Sequence, residues 1–478
     1  MERRISSTRD DLTQARRASE LSIRGDASKI AGEEAAEWLQ PREQKVIPMS
    51  KSKPYSAVPV NHVVLKHLTQ GRADRAVVVG FDIGKFEILA VPRWGDKDFG
   101  RPWRIVNPQE IPDVVRLLVQ LSQQSRGLRL ALEPSGTYGD ALRQACHDAG
   151  LAMWRVSPKA AHDYAEIFDG TPSQHDGKDA AVVAELAALG KATVWPYQVK
   201  EVWEQELAYW VDWQEAQRQL LVVWAGRLEG LLARHWPEAT GVLKVTKATL
   251  LQTLIHYGGP AGLAADSQAA KQLSQWGGVW LDAAKVQRLL QTARESVGIR
   301  QSEIDKRRMR EYAGQAYEAR QQMRQSQREL AKLVGGQAVL KAQAGVVGSA
   351  TASVLWASVG DPRGYECGEA YRKAMGLNLR EYSSGTKQGE LHISKRGNAA
   401  TRRWLYLAAL RMVKQAGVQQ WYEAKKERDG QEAKGAVVAV MRKLVLALYQ
   451  VGAKGATFEV GRLFPGQGAE RAEQESSK

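Results

Sequence analysis

Four acidic residues stand where this sequence could do chemistry. Asp82 closes the β-branched run Ala76-Val77-Val78-Val79-Gly80-Phe81, and Glu133 closes Leu128–Leu132 just before Pro134-Ser135-Gly136. Asp176 and Asp179 are three apart, so on a helix they share a face. In an open α/β sheet the carboxyl ends of strands are where ligands bind. Carboxylates gathered at such a point repel one another, and a divalent cation offsets that repulsion. Donors that are all oxygen point to Mg²⁺ or Mn²⁺ rather than Zn²⁺. Two such ions about 3.5–4 Å apart clamp the attacking and leaving oxygens of a phosphoryl displacement. Taken singly, each acid also reads as a turn residue or helix cap. The order Asp, Glu, Asp-x-x-Asp on one coherent run of elements favours the joint reading. His175, next to Asp176, reads as a surface or capping residue, and His147 and His162 as ordinary helix residues.

A second candidate lies near the far end. Glu381-Tyr382-Ser383-Ser384-Gly385 is followed by Leu391-His392-Ile393-Ser394-Lys395-Arg396-Gly397-Asn398 and then by Arg402-Arg403-Trp404. A serine before glycine is ordinarily a turn residue. Here Lys387, Lys395, Arg396, Arg402 and Arg403 surround it with charge suited to phosphate. A nucleophilic hydroxyl beside them would have its transition-state charge stabilised. No His–Asp pair is spaced for a protease-type triad.

The elements that must position these groups are legible in the patterning. The order is strand (Ala76–Phe81), strand (Phe86–Val91), strand (Trp103–Val106), helix (Ile111 to Leu121), strand (Leu128–Leu132), helix (Tyr138–Ala149), strand (Met153–Val156) and helices over Asp163–Phe168 and Asp176–Leu189. Three leading strands predict a meander, and the later units predict parallel crossovers. From about 200 to 335 the chain reads as helical and Trp-rich. One stripe runs from Trp203 to Leu231 and another from Val286 to Leu333. The second, if continuous, would be a helix about 70 Å long, expected to form a coiled-coil arm with Gly258–Gly278 at its tip.

Composition narrows the class. Hydrophobic residues are 44% and charged residues 25%, enough for packed cores. The formal net charge of +15 and a pI near 9.6 favour a polyanionic partner. Mean hydropathy is −0.41, and no run of about 18 apolar residues argues for a membrane span. The opening Met1-Glu2-Arg3-Arg4 lacks a secretory pattern, and two distant cysteines, Cys146 and Cys367, exclude a Cys-based zinc site. A cytoplasmic, nucleoid-associated prokaryotic protein is expected. Met49 could serve as a start that removes the least structured segment.

These motifs together resemble the insertion-sequence transposases with a four-acid RuvC-like N-terminal domain and a serine-bearing C-terminal domain, a group with Piv-type invertases and bridge-RNA-guided recombinases. The matching residues are Gly80-Phe81-Asp82-Ile83-Gly84-Lys85, Leu132-Glu133-Pro134-Ser135-Gly136-Thr137-Tyr138, Ser157-Pro158-Lys159, Asp176-Gly177-Lys178-Asp179-Ala180, Gly376-Leu377, Ser384-Gly385 and Ile393 to Asn398. Gln174-His175 replaces the family's Lys-Thr. Ala344-Gly345-Val346-Val347-Gly348 stands where the family often opens a DNA-binding helical hairpin with Pro-Gly-Ile-Gly.

The resemblance implies an α/β plus α architecture. A weakly structured extension (1–72) precedes a ribonuclease-H/RuvC-like mixed-sheet domain (73–200). A helical coiled-coil arm with an insert (201–336), a mainly helical serine domain (337–462) and a polar tail (463–478) follow. It implies a DNA transposase or recombinase in which Asp82, Glu133, Asp176 and Asp179 hold Mg²⁺ or Mn²⁺ and Ser384, or else Ser383, attacks the scissile phosphate. Homodimers assembling into tetramers are implied, with a noncoding guide RNA. Arg307 and Arg308, with other basic residues between Arg300 and Arg328, are candidate contacts to that RNA. The alternatives are a RuvC-like nuclease or Holliday-junction resolvase without serine chemistry, a non-catalytic nucleic-acid scaffold, and an actin-like kinase. The last expects a Ser or Thr shortly after Gly84, where Lys85-Phe86 stand.

Overall fold

The computed structural model describes residues 56–465, apart from 73, 96, 135, 170–175, 196, 198–199 and 385–386. The extension before residue 56, the Met49 start, Gln174-His175 and the tail after 465 lie outside the described residues. The chain divides at 198/199 into two compact units.

In the first unit, β1 (Val58–Pro59) and α1 (Leu65–Thr69) precede β2 (Ala76–Ile83). Val60 is buried, so the fold begins ahead of the boundary expected at 73. β3 (Glu87–Trp94), β4 (Asp98–Phe99) and β5 (Trp103–Val106) complete the meander. α2 (Ile111–Gln124), β6 (Gly127–Leu132), α3 (Asp140–Asp148), β7 (Met153–Arg155), α4 (Pro158–Asp169), α5 (Asp176–Ala188) and β8 (Thr193–Val194) follow. The sheet order is β1-β5-β3-β2-β6-β7-β8, with β4 on β3. β2, β3 and β5 pair antiparallel, while β2–β6 and β6–β7 are parallel. This is the mixed sheet with helices on its faces that the patterning predicts.

Alternation along the strands sorts the two faces. Val77, Val79, Phe81, Leu130 and Leu132 pack with Ile111, Val114, Leu118 and Leu121 of α2. Ala131 packs on the other face with Val182, Val183 and Leu186 of α5. Arg93 of β3 and Glu185 of α5 form a nearly solvent-free ion pair (Nε–Oε2 2.5 Å) that ties α5 to the sheet.

The second unit opens with α6 (Val202–His235). The short helices α7 (Ala239–Val242), α8 (Ala248–Tyr257), α9 (Pro260–Ala265), α10 (Ala269–Gly277) and α11 (Ala283–Arg294) lead to α12 (Glu303–Gly335). Trp213 Nε1 donates to Gln322 Oε1 (3.4 Å), the rings of Trp224 and Tyr312 lie 5.3 Å apart, and His235 Nδ1 meets the Ile299 carbonyl (2.8 Å). Numbers rise along one helix as they fall along the other, so α6 and α12 are antiparallel. α7 to α11 close the far end around Trp236, Leu254 and Leu289.

The helix expected over 286–334 is broken. α11 stops at Arg294, and α12 starts under a reciprocal cap in which Ser302 Oγ accepts from Asp305 N and the Asp305 carboxylate accepts from Ser302 N. The crossing segment is pinned by Glu238, which accepts from Val297 N and Ser296 Oγ, both at 2.9 Å. The apolar period runs through the break because both helices bury their stripes in one core.

The remainder is α13 (Ala338–Val347), α14 (Ser349–Val359), α15 (Gly368–Ala374), the hairpin β9 (Leu379–Ser384) and β10 (Lys387–Ile393), α16 (Ala399–Met412), α17 (Ala416–Arg428), α18 (Ala433–Lys454) and α19 (Val460–Leu463). α18 is the one helix, among the described residues, long and apolar enough to cross a membrane. The sequence pattern hides it because Arg442 and Lys443 interrupt the run. Val440, Met441, Leu444, Val445 and Leu448 are buried in the second unit's core, which accounts for its apolarity.

Candidate active site

β2 and β6 are parallel neighbours with Phe81 opposite Leu132. Asp82 and Glu133 therefore follow at adjacent positions at the carboxyl ends of the two strands. Both fall on the face opposite Phe81 and Leu132, the face covered by α5. Gly80 sets how closely α5 can lie. A Cβ there would be 2.3 Å from the Ala180 carbonyl oxygen and 2.4 Å from Ala184 N. Only a residue without a side chain lets the backbone of α5 cross β2 at that point, and the crossing brings the first turn of α5, with Asp179, to the two strand ends.

The electrostatics agree. The Glu133 carboxyl is half-buried, and burial first, then the charge of Asp179, raises its pKa above the ordinary value. Asp82 and Asp179 are likewise partly buried, and Lys178 in the same turn is 2% exposed. The side chain of Asp176, at the helix start, lies outside the described residues. Among those described, no three His, Cys, Asp or Glu side chains stand together closely enough to hold a metal ion. The donor set is nevertheless oxygen only, and a half-buried carboxyl facing a second carboxylate is an arrangement that a hard divalent cation relieves.

One positioning residue carried no signal in the sequence. Asn107 is 7% exposed, and its Nδ2 donates to the carbonyls of Gly84 (3.0 Å) and Tyr138 (3.1 Å). It ties the loop after Asp82 to the loop after Glu133, a role that exists only once those loops meet. Gly80→Val is expected to push α5 off the sheet, lowering stability by about 1–3 kcal/mol and abolishing cation binding. Denaturant unfolding and Mn²⁺ calorimetry measure the two effects.

In the second unit, Ser384 ends β9 opposite Lys387, with residues 385–386 connecting the strands. The side chains of Ser383, Ser384 and Lys387 lie outside the described residues. Lys395 and Arg396 are exposed, and Lys395 has a left-handed backbone (φ 54°). Arg402 Nη1 donates to the Gly397 carbonyl (2.8 Å), shaping the loop. Arg403 is engaged with Glu215 of α6. The guanidinium of Arg218 first, with help from Arg403, holds Glu215 down at about 2. Arg403 thus ties α16 to α6 as well as adding charge. Arg307 pairs with Glu311 (2.9 Å), while Arg308 is exposed. The helical hairpin α13–Gly348–α14 stands where the family motif was expected. Gly348 takes φ +85°, and Arg411 Nη2 donates to the Val347 carbonyl (2.9 Å) beside a cavity of about 420 Å³.

The first unit is thus a mixed-sheet domain, flanked by helices, with carboxylates at its strand ends. Residues 340–425 match the model of the transposase IS116/IS110/IS902 family, so the resemblance drawn from the sequence is borne out at the C-terminal region. No curated protein matches the chain. Among solved structures, one similar chain is T. thermophilus RuvC in complex with Holliday junction substrate. It shares 17% identity, the match covers 25% of this chain and 99% of that one, and the TM-score is 0.19.

Proposed function

We propose that this chain is a DNA transposase that cuts and rejoins strands with an acidic cation site and a serine nucleophile. The observation that carries the reading is the family match over 340–425, a segment that contains Ser384 and its basic surroundings. The adjacent placement of Asp82 and Glu133 beside the first turn of α5 supports the acidic half.

Asp82, Glu133, Asp176 and Asp179 would hold Mg²⁺ or Mn²⁺, which supplies positive charge to the oxygens of the reacting phosphate. Ser384 Oγ bonds to phosphorus, the phosphorus–sugar oxygen bond breaks, and the hydroxyl proton passes to the departing oxygen. The protein is then joined to DNA through a phosphoserine. An incoming sugar hydroxyl reverses the step on a second strand, so rejoining needs no external energy. Lys387, Lys395, Arg396 and Arg402 hold the backbone, and a noncoding RNA supplies target choice by pairing. The protein acts inside a prokaryotic cell, at the nucleoid.

Self-association has its own support. On α6, Tyr209, Trp213, Ala216, Leu220 and Val223 follow steps of four and three. Tyr209, Leu220 and Val223 are 53%, 45% and 48% exposed. Trp213 in this stripe also reaches Gln322 of α12, while the exposed positions form a heptad edge that fits a second copy of the chain. Leu220→Glu with Val223→Glu is expected to convert dimers to monomers in light scattering behind size exclusion.

The chemistry is tested by incubating the full chain with end-bearing DNA and Mg²⁺. Peptide mapping of the SDS-resistant adduct should place a nucleotide on Ser384. Cutting without any adduct would point to a plain nuclease.

A further inference from the structure

Helix α15 docks on α18 through Gly368, where an added Cβ would lie 3.0 Å from Leu446 Cδ2. One turn on from Gly368 is Arg372, and one turn back from Leu446 is Arg442. The two helices run antiparallel at this contact, which sets both guanidinium groups on one seam. Each side chain is half-buried, and each Nε is buried without a hydrogen-bond partner. Neither arginine is in an ion pair among the described residues, although Glu369, one turn before Arg372, is exposed nearby. Burial first, then the charge of Arg372, lowers the Arg442 pKa from its ordinary value.

Two half-buried like charges on one seam, neither in an ion pair among the described residues, cost free energy unless an anion joins them. Paired guanidinium forks match the oxygens of a phosphate. α15 also leads straight into Gly376, whose position is wedged against the Arg396 carbonyl oxygen (2.6 Å from an added Cβ) and Arg402 Nη1 (2.9 Å). The chain that leaves α15 therefore runs directly against the basic loop that follows the serine hairpin.

We propose that Arg372 and Arg442 form a two-arginine clamp for one backbone phosphodiester of the nucleic acid held by the second unit. The clamp rests on the nucleic-acid reading above, but it needs neither the serine chemistry nor the carboxylates.

The test uses the full chain as wild type, Arg372→Gln, Arg442→Gln and the double variant. Anisotropy of labelled duplex DNA and, in parallel, single-stranded RNA is followed across a salt series without divalent cation. The double variant should flatten the plot of log K against log salt by about 0.9 on duplex DNA, or about 0.7 on a single strand. The strand whose slope changes is the one clamped. Each single variant should lose most of what the double variant loses, because one phosphate is shared. Inorganic phosphate should raise the Tm of wild type and leave that of the double variant unmoved, a readout that holds even if neither nucleic acid binds and the proposed function fails. Without phosphate, removing one of two repelling charges should leave the Tm equal or higher. The clamp is overturned if the double variant keeps the wild-type salt slope, or if phosphate stabilises it as well as wild type. A fall in Tm of the glutamine variants with unchanged phosphate response would assign the pair to packing instead.

Discussion

Ser384→Ala is expected to remove the covalent protein–DNA adduct and all strand transfer, a loss of about 10⁴-fold or more, the scale seen when a nucleophile is deleted. The fold should be untouched, because the residue ends a two-stranded hairpin and the substitution removes a single oxygen atom. Gel assays for adduct, nicked strand and joined product separate the outcomes. A variant that still forms adduct would shift the nucleophile to Ser383, one residue back on the same strand. A variant that cuts as fast as wild type, without ever having formed an adduct, would return the protein to the RuvC-like nuclease or resolvase reading.

Asp82→Asn keeps the shape of the strand end and deletes one charge. Several kcal/mol of charge stabilisation at the reacting phosphate should go with it, so cutting is expected to fall about 10³-fold. Binding of Mn²⁺, followed by calorimetry, should weaken in parallel. Denaturant unfolding followed alongside separates a lost cation site from a lost fold. Cutting at the wild-type rate by Asp82→Asn would leave the carboxylates as scaffold and the protein as a nucleic-acid binder. Asp179→Asn serves as an independent check, because it sits on α5 rather than on the sheet.

Both substitutions target residues that the sequence alone singled out. Strand and helix patterning is local, and so the β-branched run ending in Asp82, the run ending in Leu132 before Glu133, and the helix opening at Asp176 could be read directly. The carboxyl-end rule makes their neighbourhood an expectation and no more, because several strand orders satisfy it. Only the tertiary structure decided that Phe81 pairs with Leu132, that Gly80 admits the backbone of α5, and that Asn107 ties the two loops together. Each of these joins residues far apart in the chain, and no local propensity records such a meeting. The same reason explains the broken helix at 295–302: apolar spacing reports which side of a helix is buried, whereas the turn is set by a cap at Ser302 and by Glu238 reaching from another element. It also explains Arg403. Its type announced a phosphate contact, but its partner Glu215 lies on a helix that the sequence could not bring to it.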